Sequence, residues 1–210
     1  MRRRVHYRFQ SYGIPEELTR RRQWAGWKEG FLHSFELARP MHCGIAHPVR
    51  RETWATFSDA LSRRREWEMD GLSFMLGQDD PFLFVSLFDA AHRGKPTRTT
   101  RQIIRACNTY AEISPDGCGV TLLFAIDPAL QPNLGHPVPH DAFPDDCPLH
   151  RHESFLFTWP WGFPVPVSGW FISPFNKIRQ IALDPDRLTG VRSFAMRGWQ
   201  KYRRAQEHAL

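Results

Sequence analysis

The chain has 210 residues, a net charge of +6 with histidine neutral, and a pI near 9.5. A hydrophobic share of 41%, with 16 Phe and 8 Trp, excludes a disordered chain and leaves room for one domain with an extended tail. No apolar run approaches the ~20 residues that a membrane helix needs, so no membrane partner is expected. The four cysteines, Cys43, Cys107, Cys118 and Cys147, are widely spaced, contain no C-x-x-C pair and do not read as a secreted disulfide framework. The start, MRRRVHYRFQ, is basic without a following apolar region, so it does not read as a signal peptide, and the cytoplasm is the expected compartment. Arginine dominates the cations, and its planar fork suits phosphate, which favours a nucleic-acid or nucleotide partner.

In chain order, residues 1–13 read as a loosely held basic arm. Ile14-Pro15-Glu16-Glu17-Leu18 opens a helix, with Pro and acids in its first turn, that runs to about Arg22. Gln23 to Trp27 alternates large and small, as in a strand with one buried face. Residues 28–52 look irregular. Thr53 to Leu61 places Trp54, Phe57, Ala60 and Leu61 on one helical face, closed by Arg63-Arg64-Arg65. That run reads first as a solvated helix end and second as a nucleic-acid contact.

Gly71 to Leu76 is a short strand, and Phe82 to Asp89 is an almost wholly apolar one, expected at the centre of a sheet with both faces covered. Thr99 to Tyr110 fits a helix. The turn Pro115-Asp116-Gly117-Cys118-Gly119 then leads into a strand from Val120 to Ile126. Residues 127–152 are rich in Pro, His and Asp and read as a loop. Val165 to Trp170 suits an edge strand because of its proline, and a basic helix starts at Asp186. These elements predict an α+β fold, a mixed β-sheet flanked by helices, with a domain over 14–185 and a basic C-terminal helix over 186–210.

Three segments carry potential chemistry. Two glycines and a proline in the Ser114–Gly119 turn allow exposed backbone N–H groups that suit an anion. His136, His140, Asp141, Asp145, Asp146, Cys147, His150 and His152 include good zinc ligands, but no pair has finger-like spacing. Phe155, Phe157, Trp159, Trp161 and Phe163 alternate strictly, as core packing or as a base-stacking platform.

Taken together, the run Tyr110-Ala111-Glu112-Ile113-Ser114-Pro115-Asp116-Gly117-Cys118-Gly119-Val120-Thr121 resembles part of the primase–polymerase domain of phages and mobile elements, in the archaeo-eukaryotic primase superfamily. Upstream, Ile14 to Trp27, Trp54 to Leu61, and Asp70 to Leu76 with Asp79-Asp80-Pro81-Phe82 resemble that family's motifs in the same order. The resemblance covers roughly residues 14–126. It implies an archaeo-eukaryotic primase-like sheet and a DNA- or nucleoside-triphosphate-handling protein in replication of a phage, plasmid or other mobile element, with a replication protein as a further partner.

The resemblance also implies an Asp-x-Asp holding two divalent metals and a His on the incoming nucleotide's phosphates. Here the Asp positions fall on Ser86 and Phe88, and the His position on Thr121. Hydroxyls and a phenyl ring do not replace carboxylates for Mg²⁺. The expectation is therefore a degenerate catalytic site and no metal cofactor. Its nucleotide contacts would be Ser114, Gly117, Gly119 and Thr121, and its nucleic-acid contacts Arg63, Arg64 and Arg65. Two alternatives stand beside it. One is an active enzyme using Mg²⁺ or Mn²⁺ at a rearranged site, with Asp89 and Glu153 as the catalytic candidates beside Asp79 and Asp80. The other is a protein-binding or inhibitor module that reuses the fold.

Overall fold

The computed structural model describes residues 9–29, 35–38, 46, 50–133, 138–151, 156–159, 162, 164–174 and 177–188. Within them the order is α1 (Glu16–Thr19), β1 (Trp24–Glu29), β2 (Phe35–Ala38), α2 (Phe57–Glu66), β3 (Gly71–Met75) and β4 (Phe82–Leu87). It continues with β5 (Ala91–His92), β6 (Lys95–Pro96), α3 (Arg98–Cys107), β7 (Tyr110–Ile113) and β8 (Val120–Ala125). It ends with β9 (Leu156–Thr158), β10 (Pro164–Val167), β11 (Arg179–Gln180) and α4 (Pro185–Leu188). The α+β class expected from the sequence is the one observed.

The single expected sheet is two sheets among the described residues. One runs β10-β3-β1-β2 and is antiparallel throughout. In the other, β9, β4 and β8 lie side by side, and β7 and β11 share the outer edge of β8. Its one parallel pair is β11 with β8. The β5–β6 hairpin stands apart from both.

Alternation along the strands divides the core. Phe82 and Phe84 of β4 face the first sheet and pack with Trp24, Leu72, Phe74, Val165 and Val167. Leu83, Val85 and Leu87 face the opposite way, toward Ile104 and Cys107 of α3 and toward Ala142, Phe143 and Leu149. Strand β4 is thus buried on both faces, as its apolar run predicts. Prolines keep β10 at an edge, also as predicted. Strand β1 differs from its one-faced expectation. Trp24 packs between the sheets, while Ala25 and Trp27 join Trp54 and Met75 on the far side.

Two helix boundaries shift because threonine side chains set them. Thr56 accepts from the Asp59 N–H at 3.2 Å, so α2 begins at Phe57 and Trp54–Ala55 stays extended, with Ala55 bridged to Trp24. Thr97 accepts from the Thr100 N–H at 3.1 Å, and Asn108 ends α3 in the left-handed region, so Tyr110 opens β7 rather than closing the helix. Helix α1 is a single turn, and β2 lies within the stretch expected to be irregular. The described parts of 127–151 contain short 3-10 turns, and Val138, Ala142, Phe143, Cys147 and Leu149 there are buried.

Residues 9–13 are docked. The Gln10 N–H donates to the Ser168 carbonyl at 2.7 Å, and Phe9 lies under the Arg64 guanidinium. Residues 1–8 of the expected arm and residues 189–210 of the expected C-terminal helix lie outside the described residues.

Candidate functional site

Register sets the site. Across the second sheet, Phe157 of β9 pairs with Ser86 of β4, Ser86 with Thr121 of β8, and Thr121 with Glu112 of β7. Ser86 and Thr121 lie on the inter-sheet face, in alternation with Phe84 and Leu123. They are 8% and 6% exposed, and their hydroxyl oxygens are 3.2 Å apart in a hydrogen bond. The Trp159 indole N–H donates to the Ser86 hydroxyl at 2.9 Å. Trp159, expected as a packing or stacking ring, thus also acts as a hydrogen-bond donor, a role that alternation of ring side chains does not signal. Phe155, Trp161 and Phe163 lie outside the described residues.

Strand β4 stops at Leu87. Phe88 is 53% exposed, and Asp89 is exposed in a turn with φ 50°. Asp89 therefore lies past the alternation of the strand, in the turn that follows it. Burial first, then the charges of Asp116 and Asp89, push the Cys118 thiol up. Ser86, Phe88 and Thr121 supply two hydroxyls already bonded to each other and a phenyl ring. That set does not fit Mg²⁺ or Mn²⁺, which take charged hard oxygens.

Asp79 and Asp80 of the rearranged alternative are each engaged by arginine. Asp79 pairs with Arg51, an ion pair that holds its carboxyl below the usual range. Asp80 is buried and accepts from Arg21 at 2.8 Å, the Gln23 amide at 2.6 Å and the Gly77 N–H at 2.6 Å. Burial outweighs those donors and raises its pKa. Glu153 lies outside the described residues.

Glu112, at the end of the row, is 2% exposed. It accepts from the Tyr110 hydroxyl at 2.7 Å and from the Ser168 and Gly169 N–H groups, each at 2.9 Å. Burial pushes its pKa up to about 7 despite these donors. Both of its oxygens serve to clasp the β10–β11 connection onto β7.

The Ser114–Gly119 turn uses its donors on itself. The Gly117 N–H donates to the Ser114 carbonyl at 2.8 Å, the Gly119 N–H to the Ser114 hydroxyl at 2.7 Å, and the Cys118 N–H to Asp116 at 3.0 Å. The expected row of exposed N–H groups is turned inward. The β5–β6 hairpin covers the turn, with the Gly94 N–H on the Gly117 carbonyl and the Ala91 N–H on the Cys118 carbonyl, both at 2.8 Å.

The three arginines of α2 separate. Arg63 pairs with Glu66, Arg64 lies over Phe9 and donates to the Asp70 carbonyl, and Arg65 is exposed. In the His/Asp loop, Asp141 pairs with Arg187, Asp145 with His150 at 3.2 Å, and Asp146 with Arg179. Cys147 is buried against Cys107. His136 and His152 lie outside the described residues. Among the described residues, no group of three or more His, Cys, Asp or Glu stands together as a metal site.

Over 105 residues the chain is 28% identical to a DNA primase-polymerase of Nitratiruptor phage NrS-1. The match supports a primase–polymerase relationship. It takes in 49% of this chain and only 14% of the phage protein, so the chain spans a small part of that relative. No protein-family model matches the chain. No helix among the described residues is long and apolar enough to cross a membrane.

Proposed function

We propose that this is a primase–polymerase-like protein whose two-metal site is lost, and that it binds DNA or nucleoside triphosphates in replication of a phage, plasmid or other mobile element. It would act in the cytoplasm alongside a replication protein. One observation carries this reading: the hydrogen bond between Ser86 and Thr121. These are positions where the resemblance implies a metal carboxylate and a phosphate-binding His. A two-metal polymerase uses its carboxylates to hold the ions that neutralise the triphosphate. Neutral hydroxyls satisfied by each other and by Trp159 provide no such charge.

Nucleotide contact is proposed at the Ser114–Gly119 turn and Thr121, and DNA contact at Arg63 to Arg65. Since the N–H groups of the turn are used internally, a nucleotide there would meet its carbonyl and side-chain surface or would reshape it. The test is primer synthesis and extension with Mg²⁺ and with Mn²⁺, beside oligonucleotide binding measured at two salt concentrations. The expected outcome is binding that weakens with salt and no incorporation. Template-dependent incorporation that disappears in Asp89→Ala would overturn the loss of the metal site.

A further inference from the structure

From Ala90 to Tyr110 the chain contains no acidic residue, while Arg93, Lys95, Arg98, Arg101 and Arg105 are all exposed. The last three stand at i, i+3 and i+7 on α3, so they share one stripe, opposite the buried Thr100, Ile104 and Cys107. At 1.5 Å per residue that stripe is about 10 Å long. None of the five cations is in an ion pair among the described residues. Elsewhere, Arg20, Arg21, Arg51, Arg63, Arg179 and Arg187 each pair with an acid.

Arg105 in the last turn suits the helix macrodipole and Arg101 donates to the Pro96 carbonyl at 2.8 Å, while the charge at the start of the stripe works against the helix. Like charges at these spacings repel, and a cation in the first turn, as Arg98 is, opposes the macrodipole. The first turn holds no acid to compensate. The support beneath is fixed. Gly94 has φ 78°, and a Cβ there would stand 1.7 Å from the Trp170 ring, so hairpin and ring are in close contact. The Thr97 N–H closes the hairpin base on the Ala90 carbonyl at 3.0 Å, which brings Phe88, two residues earlier, close to the start of α3. Phe88, just before the hairpin in the chain, is a large apolar side chain 53% exposed.

We propose that the β5–β6 hairpin and the outer stripe of α3 bind the phosphate backbone of single-stranded DNA, with Phe88 stacking on an unpaired base. The proposal rests on the reading that the protein handles DNA. Guanidinium forks take phosphate oxygens two at a time, and a phenyl ring beside a cationic track suits an unstacked base more than a closed duplex.

The test is fluorescence anisotropy of a labelled oligo(dT) across a salt series. The proteins compared are the wild type, Arg98→Ala/Arg101→Ala/Arg105→Ala, Arg63→Ala/Arg65→Ala and Phe88→Ala. The triple variant should bind at least ~10-fold more weakly at moderate salt, with the slope of log K against log salt shallower by about 2 for three lost phosphate contacts. Its melting temperature should stay close to that of the wild type, because the stripe is exposed and its self-repulsion offsets the exposed Arg101–Pro96 hydrogen bond. Phe88→Ala should weaken oligo(dT) binding about fivefold or more while leaving a duplex competitor unaffected. Unchanged binding by the triple variant, with loss in the α2 variant, would overturn this surface and leave the DNA reading standing. Equal or tighter binding of duplex DNA or of anionic lipid vesicles would overturn the single-strand assignment. No salt-dependent binding of any oligonucleotide by the wild type would overturn both readings.

Discussion

Two regions of this protein bury polar groups and treat charge in opposite ways. At Asp80 and Glu112 a carboxyl group stays in the interior, and each accepts three hydrogen bonds, two of them from residues distant in the chain. At Ser86 and Thr121, in the same strand row as Glu112, the buried groups are neutral and satisfy each other. Burial therefore does not exclude acids from this core. It keeps them where donors converge to hold a loop. The strand end where the primase–polymerase resemblance implies metal ligands has a hydroxyl with one indole donor in their place.

The largest expected effect breaks the acidic half of that contrast. Asp80→Ala strands Gln23, the Gly77 N–H and Arg21, and should cost about 3 kcal/mol. That is the low end for a buried pair, because Arg21 is 36% exposed and water takes over part of its solvation. Urea unfolding measures it, and a loss under about 1 kcal/mol would mean the turn is not held by Asp80.

The neutral half can be converted to the acidic one. Ser86→Asp/Phe88→Asp should gain a Mn²⁺-dependent stabilisation of about 2–3 kcal/mol at saturating metal, seen as a rise in Tm that the wild type lacks. An equal Mn²⁺ response in the wild type would show that another site holds the ion.

Glu112→Gln removes the charge and keeps an acceptor, so it should cost about 1–2 kcal/mol near neutral pH or less. Its sharper signature is pH dependence. The folded carboxyl titrates at about 7 against an ordinary 4.5, so between these values the folded state holds a proton that the unfolded chain releases. Wild-type stability should therefore fall as pH rises through that window, and Glu112→Gln should flatten the fall. Parallel pH profiles for the two proteins would place Glu112 at its ordinary value.

The smallest effect is Ser86→Ala. It leaves the Trp159 N–H without its acceptor and Thr121 without its partner, a loss of about 1 kcal/mol in thermal or urea unfolding.

Local chemistry alone made many elements legible. The apolar run Phe82 to Leu87 announces a doubly covered strand, and the prolines of β10 announce an edge. Helix starts were blurred because Thr56 and Thr97 act as caps only when the next turn winds, and periodicity carried Trp54 and Tyr110 into helices they do not join. The division into two sheets was hidden, since strand pairing is long-range. Nothing near Trp24 in sequence specifies Phe74 as its partner.

The candidate site follows the same division. The residue types at Ser86, Phe88 and Thr121, the absence of acids from 90 to 110 and the arginine bias are properties of the sequence itself, because identity and charge need no fold. Tertiary structure alone decided that Ser86 meets Thr121 and Trp159 and that Glu112 meets Ser168 and Gly169. It alone decided that the turn's N–H groups close on Ser114, and that Arg64 lies over Phe9 while Arg98, Arg101 and Arg105 have no acidic partner among the described residues. Each of these depends on which donors, acceptors and counter-charges long-range pairing brings within about 3 Å, and spacing along the chain does not encode that distance.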